Sequence, residues 1–323
     1  MDHNHFLIHS HIDKCGIFVQ FVYMKATLYL FVAFAFFALV GCQSSSSTST
    51  IATNSGENKA QPFVPITSFD EWLANPLPIV SSHRGGPYPG FPENAIATFQ
   101  NIASQASTII ECDVAMTKDS VLVLMHDESL DRTTTGNGSL NNYTYDSLRA
   151  LQLIDNEGDT TAFRIPTLDE TLAWGKGKVL FTLDIKRGVP FAMVMESVSK
   201  WEAIPYAAII TYRIEDAKLV YSLNPEVMIS VSAGDDGALE QILQSGIPVK
   251  NLLGFVGTRE PSADHYEKLR TMGLKTILGT LGNLDKSAEA KGDDSVYLTY
   301  IKNGANIIAT DRPLEVAAVI ADR

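Results

Sequence analysis

From residue 77 onward, short apolar runs alternate with stretches that carry a helical period. The runs read "PIVSSH", "KVLFTLDIK", "AAIITY", "VMISVSA", "LLGFVG", "LKTILGT" and "NIIAT". Between them, "NAIATFQNIASQ" sets Ile96, Phe99, Ile102 and Ala103 on one face, and "IEDAKLVYSL", "DGALEQILQS" and "ADHYEKLRTM" have helix length. Near-continuous apolar strands suit a sheet covered on both faces, and helix-length connections suit parallel neighbours. Repetition of this unit to the C-terminus favours a closed (β/α) barrel over an open sheet.

Two further runs, "TIIECDV" and "VLVLMHD", bring the strand candidates to nine, one more than a regular eight. Only "TKDS" separates these two, too little for a crossover helix, so an irregular barrel with a hairpin is expected there. The polar stretch from Glu128 to Arg164, with "TTTGNG" and one helix, then reads as a loop excursion over the barrel mouth.

The first 65 residues have a different character. Lys25 precedes "LYLFVAFAFFALV" (28–40), the length of a signal h-region and short for a membrane span. That run ends in Leu39-Val40-Gly41-Cys42, which resembles a bacterial lipoprotein signal in which Cys42 is lipidated and becomes the first mature residue. A short uncleaved anchor is the alternative. Starting at Met24 gives a signal peptide (24–41) of normal proportions, so residues 1–23 read as a non-native extension. Its His3, His5, His9 and His11 then need no metal-binding role. Residues 42–65 form a Ser/Thr-rich tether of roughly 25 Å as a coil, and 66–323 the barrel domain. This layout implies a lipid-anchored protein of the bacterial envelope, tied to a membrane. With Cys42 lipidated and Cys15 in the extension, Cys112 has no partner for an internal disulfide.

The chain carries 37 acidic and 25 basic residues, a formal net charge of −12, with no Lys/Arg run. Nucleic acid is thereby excluded as a partner, and any anion must be small and met by a few placed cations. His83 and Arg84 stand where the first strand runs out, ahead of Gly85 and Gly86. The glycines let the backbone turn without shielding these cations from a ligand at the C-terminal barrel mouth. Glu93 and Asn94 read as caps of the next helix, with direct substrate contact as the lesser alternative.

Glu111 and Asp113 are two apart on a strand and share a face, while Cys112 points to the other. A hairpin centred between Lys118 and Asp119 sets Glu111 opposite His126, about 5 Å apart at Cβ. Burying two unneutralised carboxylates costs several kcal/mol, so a cation is required. Oxygen ligands suit Mg²⁺ or Ca²⁺ better than zinc. Asp184, in "FTLDIK", can complete the ligand set, and Lys186 on the same face can meet an anion beside it. Of the three histidines beyond the tether, His265 lies in a polar helical segment and reads as a surface residue.

The ordered set His83-Arg84-Gly85, "PEN", Glu111-x-Asp113, "TKD", "HD", "LDRTT", "GNG", "IPTLDE", "LDIK" and "GANIIATDRP" resembles the glycerophosphodiester phosphodiesterase family over about residues 79–316. The resemblance implies an irregular (β/α)₈ TIM barrel of the phospholipase-C-like phosphodiesterase type. It implies hydrolysis of glycerophosphodiesters to glycerol 3-phosphate and an alcohol with one divalent cation. By motif, His83 and His126 are the catalytic histidines, Glu111, Asp113 and Asp184 the metal ligands, and Arg84 and Lys186 the phosphate cations. Two positions depart from the family: Asp184 stands where Glu is usual, and "ILGTLGN" replaces a Trp-containing segment at the mouth. The competing expectations are a phosphodiesterase acting on intact lipids and a non-catalytic lipoprotein that captures phosphodiesters. Isolated Tyr88 and Phe91, with no long apolar ridge, speak against the first.

Overall fold

The computed structural model describes residues 65–321. The histidine-bearing extension, the signal layout, Cys42 and the tether up to residue 64 lie outside the described residues.

Nine strands form one sheet: β1 Ile79–Ser82, β2 Thr108–Met116, β3 Leu122–Leu124, β4 Leu180–Ile185 and β5 Ala207–Ile210, then β6 Met228–Ser232, β7 Leu252–Phe255, β8 Lys275–Gly279 and β9 Ile307–Thr310. Eight are parallel in the order β1-β9-β8-β7-β6-β5-β4-β2, and β1 pairs with β2 to close a barrel. The surplus strand is β3, which pairs antiparallel to the far end of β2. The apolar runs therefore mark the strands correctly, and the irregularity sits where the missing crossover placed it.

Along each strand, alternate side chains face the barrel axis and the helices. On β4, Phe181 packs outward among Phe99, Trp174 and Tyr206, with ring centroids 6.1–6.4 Å apart. Thr182 and Asp184 point the other way, into the interior. A fully buried large apolar side chain contributes roughly 1.5–3 kcal/mol, so this outer layer holds helices to barrel wall. The helix Phe69–Ala74, capped by Ser68, buries Phe69 and Trp72 and bonds to Pro205, just ahead of β5. It covers the barrel end opposite the C-terminal mouth.

The hairpin register differs from the expected one. Val114 pairs with Leu124 and Met116 with Leu122, so the axis passes through Asp119 rather than between Lys118 and Asp119. The cause is Ser120, whose φ of 63° puts it in the left-handed region. A three-residue loop with a left-handed last residue replaces the two-residue turn and shifts pairing by one. His126 is thus not opposite Glu111 on a ladder; β3 ends at Leu124, and His126 lies beyond its end.

Residues 128–164 form the expected excursion, with a 3₁₀ turn at Leu140–Asn142 and a short helix at Tyr145–Leu148. Leu130, Leu140, Leu148, Leu153 and Ile165 gather with Ala95, Val123 and Met125 in a small core separate from the main one.

Candidate active site

Among the described residues the candidates lie on barrel strands or just past their C-terminal ends, except His126, which follows the antiparallel β3. The chain leaves β1 through His83, then takes positive φ at Arg84 (52°), Gly85 (85°) and Gly86 (75°). This tight turn aims the Arg84 N–H at Glu111 Oε2, 2.7 Å away. The two glycines are needed for close approach as well as for φ. A Cβ on Gly85 would lie 2.2 Å from the Phe99 ring, and one on Gly86 2.5 Å from Pro313. The helices pressing on the turn from beneath therefore dictate glycine here.

Glu111 and Asp113 on β2 face the interior, and Asp113 registers beside Asp184 of β4. One carboxylate oxygen from each of Glu111, Asp113 and Asp184 lies within 4.8 Å of the others. Lys186 bridges two of them, with Nζ 2.6 Å from Asp113 Oδ1 and 2.7 Å from Asp184 Oδ2. Asp113 also accepts from Asn94 Nδ2 at 2.7 Å, and its own N–H donates to Asn94 Oδ1 at 2.9 Å. The Tyr212 hydroxyl donates to Asp184 Oδ1 at 2.9 Å. Burial disfavours the charged form of Asp113, yet the Lys186 ammonium and Asn94 outweigh it and hold the carboxyl below its usual range. Glu111 has no such cation. Burial, reinforced by the Asp113 charge, pushes its carboxyl up to about 8. Lys186 is the one ammonium bound within the cluster, and the Arg84 guanidinium near Asp113 is shared with Glu93, so the three acids are short of positive charge once Glu111 ionises. A divalent cation on these three oxygens fits that deficit.

The two imidazoles are held alike. His83 Nδ1 donates to Asp311 Oδ1 at 2.7 Å, and His126 Nδ1 to Asp127 Oδ1 at 2.7 Å. With Nδ1 occupied by a carboxylate, Nε2 of each ring is left for chemistry. Burial opposes a charge on His83, but the Asp311 hydrogen bond, aided by Glu111, raises its pKa above the usual value. Both rings line one cavity of about 270 Å³, together with the three carboxylates and Lys186. Its apolar lining is Ile210, Phe255, Ile277, Leu281 and Ala309. The structure thus brings His83, His126, Glu111, Asp113, Asp184 and Lys186 together.

Arg84 lies behind this set. Its guanidinium sits 3.1 and 3.2 Å from the Glu93 carboxylate, with Nε 3.8 Å from Asp113. Glu93 and Asn94 do not cap a helix: Ala95 is the N-cap of Ile96–Ala103, without a side-chain bond. Both are buried because they organise acids and cations under the site. Arg132 completes the scaffold. Its guanidinium bonds both Glu93 oxygens at 2.8 Å and both Asp127 oxygens at 2.7 and 3.0 Å. His265 is buried rather than at the surface, because Nε2 reaches Ala233 O at 2.7 Å and the helix Ala263–Met272 turns that side inward.

Asn94, Asp127, Arg132, Tyr212 and Asp311 were not picked out as working residues by sequence reasoning. Four of these five sit inside strings that carried the family resemblance: "PEN", "HD", "LDRTT" and "ATDRP". Tyr212 had no signal beyond following a strand.

A family model described as the glycerophosphoryl diester phosphodiesterase family matches residues 83–323. The crystal structure of a glycerophosphoryl diester phosphodiesterase from Parabacteroides distasonis is similar at a TM-score of 0.74 and 32% identity, covering 80% of this chain and 93% of that one. A glycerophosphodiester phosphodiesterase from Caldanaerobacter subterraneus is 34% identical over 149 residues, 45% of this chain. That match spans 58% of the curated relative's length. An Oleispira antarctica phosphodiesterase, solved with the product sn-glycerol 3-phosphate, shares the fold at a TM-score of 0.63 and 20% identity, covering 77% of this chain and 98% of that one.

Proposed function

We infer the activity from the premise that the chain belongs to the glycerophosphoryl diester phosphodiesterase family. The protein is read as a phosphodiesterase that hydrolyses glycerophosphodiesters to glycerol 3-phosphate and an alcohol. One observation carries this: two carboxylate-steered imidazoles and a three-carboxylate cluster face the same cavity. The product named for the Oleispira protein is the glycerol phosphate this reaction releases.

Glu111, Asp113 and Asp184 would hold the cation, and a set made only of carboxylate oxygens favours Mg²⁺ or Ca²⁺. When bound, it supplies Lewis-acid stabilisation of charge on phosphoryl oxygens, worth several kcal/mol in such sites. The chain's own groups do the rest. Lys186 places an ammonium at the rim of the cluster, where a phosphodiester monoanion meets it. One imidazole Nε2 takes the proton from the attacking oxygen as that oxygen bonds to phosphorus. The other gives a proton to the departing alkoxide as the second P–O bond breaks. Each such transfer contributes about 10²–10⁴-fold. Asp311 and Asp127 keep the two rings oriented, and Asp311 also favours the charged form of His83.

Arg84 supports the phosphate from behind Asp113 and through its backbone N–H on Glu111. The signal layout ending at Cys42 supports anchoring by a lipid on that cysteine, and hence a place in a bacterial envelope.

Purified protein with Mg²⁺ or Ca²⁺ is expected to release glycerol 3-phosphate from glycerophosphoethanolamine. His83→Ala and His126→Ala are each expected to lower kcat by about 10²-fold or more, and chelation to abolish turnover until metal is restored. Undiminished turnover in chelator, or in the variant lacking both imidazoles, overturns the reading.

A further inference from the structure

A second groove, of about 460 Å³, opens beside the catalytic cavity and shares two residues with it, His126 and Lys186. Its other walls include Met116, Asp127, Glu128, Asn141, Arg187 and Val189. A phosphodiester has one phosphoryl centre and two arms. Two spaces that meet only at an imidazole and an ammonium suit such a molecule, with the phosphoryl group at the junction and one arm in each. The barrel cavity is the smaller of the two and is lined largely by strand residues, which suits the invariant glyceryl arm. The outer groove, between the excursion and the turn after β4, is left for the alcohol that varies.

The charges of that groove are specific. Asp127 is already engaged by Arg132 and His126. Glu128 and Arg187 are exposed, and neither side chain makes a hydrogen bond or ion pair among the described residues. One unengaged carboxylate and one unengaged guanidinium thus border the same channel. Met116, Leu140 and Val189 give it an apolar floor.

We propose that this groove is the subsite for the departing alcohol and selects alcohols that carry both an ammonium and a carboxylate, as serine does. Glu128 receives the ammonium, and Arg187 grips the carboxylate in the two-pronged geometry natural to guanidinium. The proposal rests on the phosphodiesterase reading above. The test uses the full chain with its metal and three substrates: glycerophosphoserine, glycerophosphoethanolamine and glycerophosphoglycerol, read as glycerol 3-phosphate released. Wild type is expected to show its highest kcat/KM on the serine diester. Glu128→Gln should lower the ethanolamine-to-glycerol ratio of kcat/KM about three- to fivefold, the upper part of the range for an exposed charge contact. Arg187→Gln should lower the serine-to-ethanolamine ratio by a similar factor. Ratios within about twofold of wild type in both variants, with turnover intact, overturn the subsite alone. Failure of wild type on all three diesters instead removes the phosphodiesterase reading, and this proposal with it.

Discussion

Arg132 joins the two halves of the site. It holds Asp127, which orients His126, and Glu93, which holds Arg84. Glu93 is buried, and burial alone would favour its neutral form. The Arg132 hydrogen bonds and the Arg84 charge keep it ionised. Arg132→Gln is expected to cost about 10²-fold in kcat by misaiming His126, with KM moving far less and Arg132→Lys recovering part of the loss. A loss of kcat matched by an equal loss of folded protein, with no recovery in Arg132→Lys, would show a merely structural role. None of this was legible beforehand. "LDRTT" could be matched as a string, but which acid Arg132 reaches depends on a fold-wide approach of residues 39 positions apart. The carboxylate pair at 111 and 113 was legible, because strand periodicity fixes which residues share a face.

Elements tell a similar story. The barrel strands were readable because burial on both faces makes them near-continuously apolar. The hairpin was readable as an element but its register was not. Sequence offered no Gly, Asn or Asp at position 120 to announce a left-handed residue, and Ser120 takes that conformation anyway. A serine held there bears steric strain of about 1 kcal/mol that glycine lacks. Ser120→Gly is therefore expected to stabilise by roughly 0.5 kcal/mol in urea melts, and Ser120→Val to destabilise by more than about 1 kcal/mol. The valine variant should also lose activity through His126, which the hairpin carries. Equal stability for all three would refute the assigned turn. His265 was misread for a related reason: a polar helix hides which of its residues meets a neighbouring loop.

For the whole molecule, the acidic cluster sets the pH response. The Glu111 carboxyl moves from an ordinary 4.5 to about 8 on folding, so the native state keeps a proton that the unfolded chain releases. The stability this confers is complete below about 4.5 and is lost as pH rises towards 8. His83, raised above 6.5, acts in the same direction: its contribution holds below 6.5 and is lost as pH rises through its elevated value. In chelator, the melting temperature is expected to fall between pH 5 and pH 8, and Glu111→Gln should flatten that slope. Added Mg²⁺ or Ca²⁺ needs deprotonated ligands, so its stabilising effect should grow with pH. A metal-free profile that rises across this range would contradict the assignment.

The separate small core under residues 128–164 means that the His126 imidazole borders a flap with its own cohesion, and that Arg132, which clamps its partner Asp127, rides on that flap. Loosening that flap would disarm the enzyme while leaving the cylinder folded. A variant such as Leu148→Ala could then look sound by circular dichroism and still be inert.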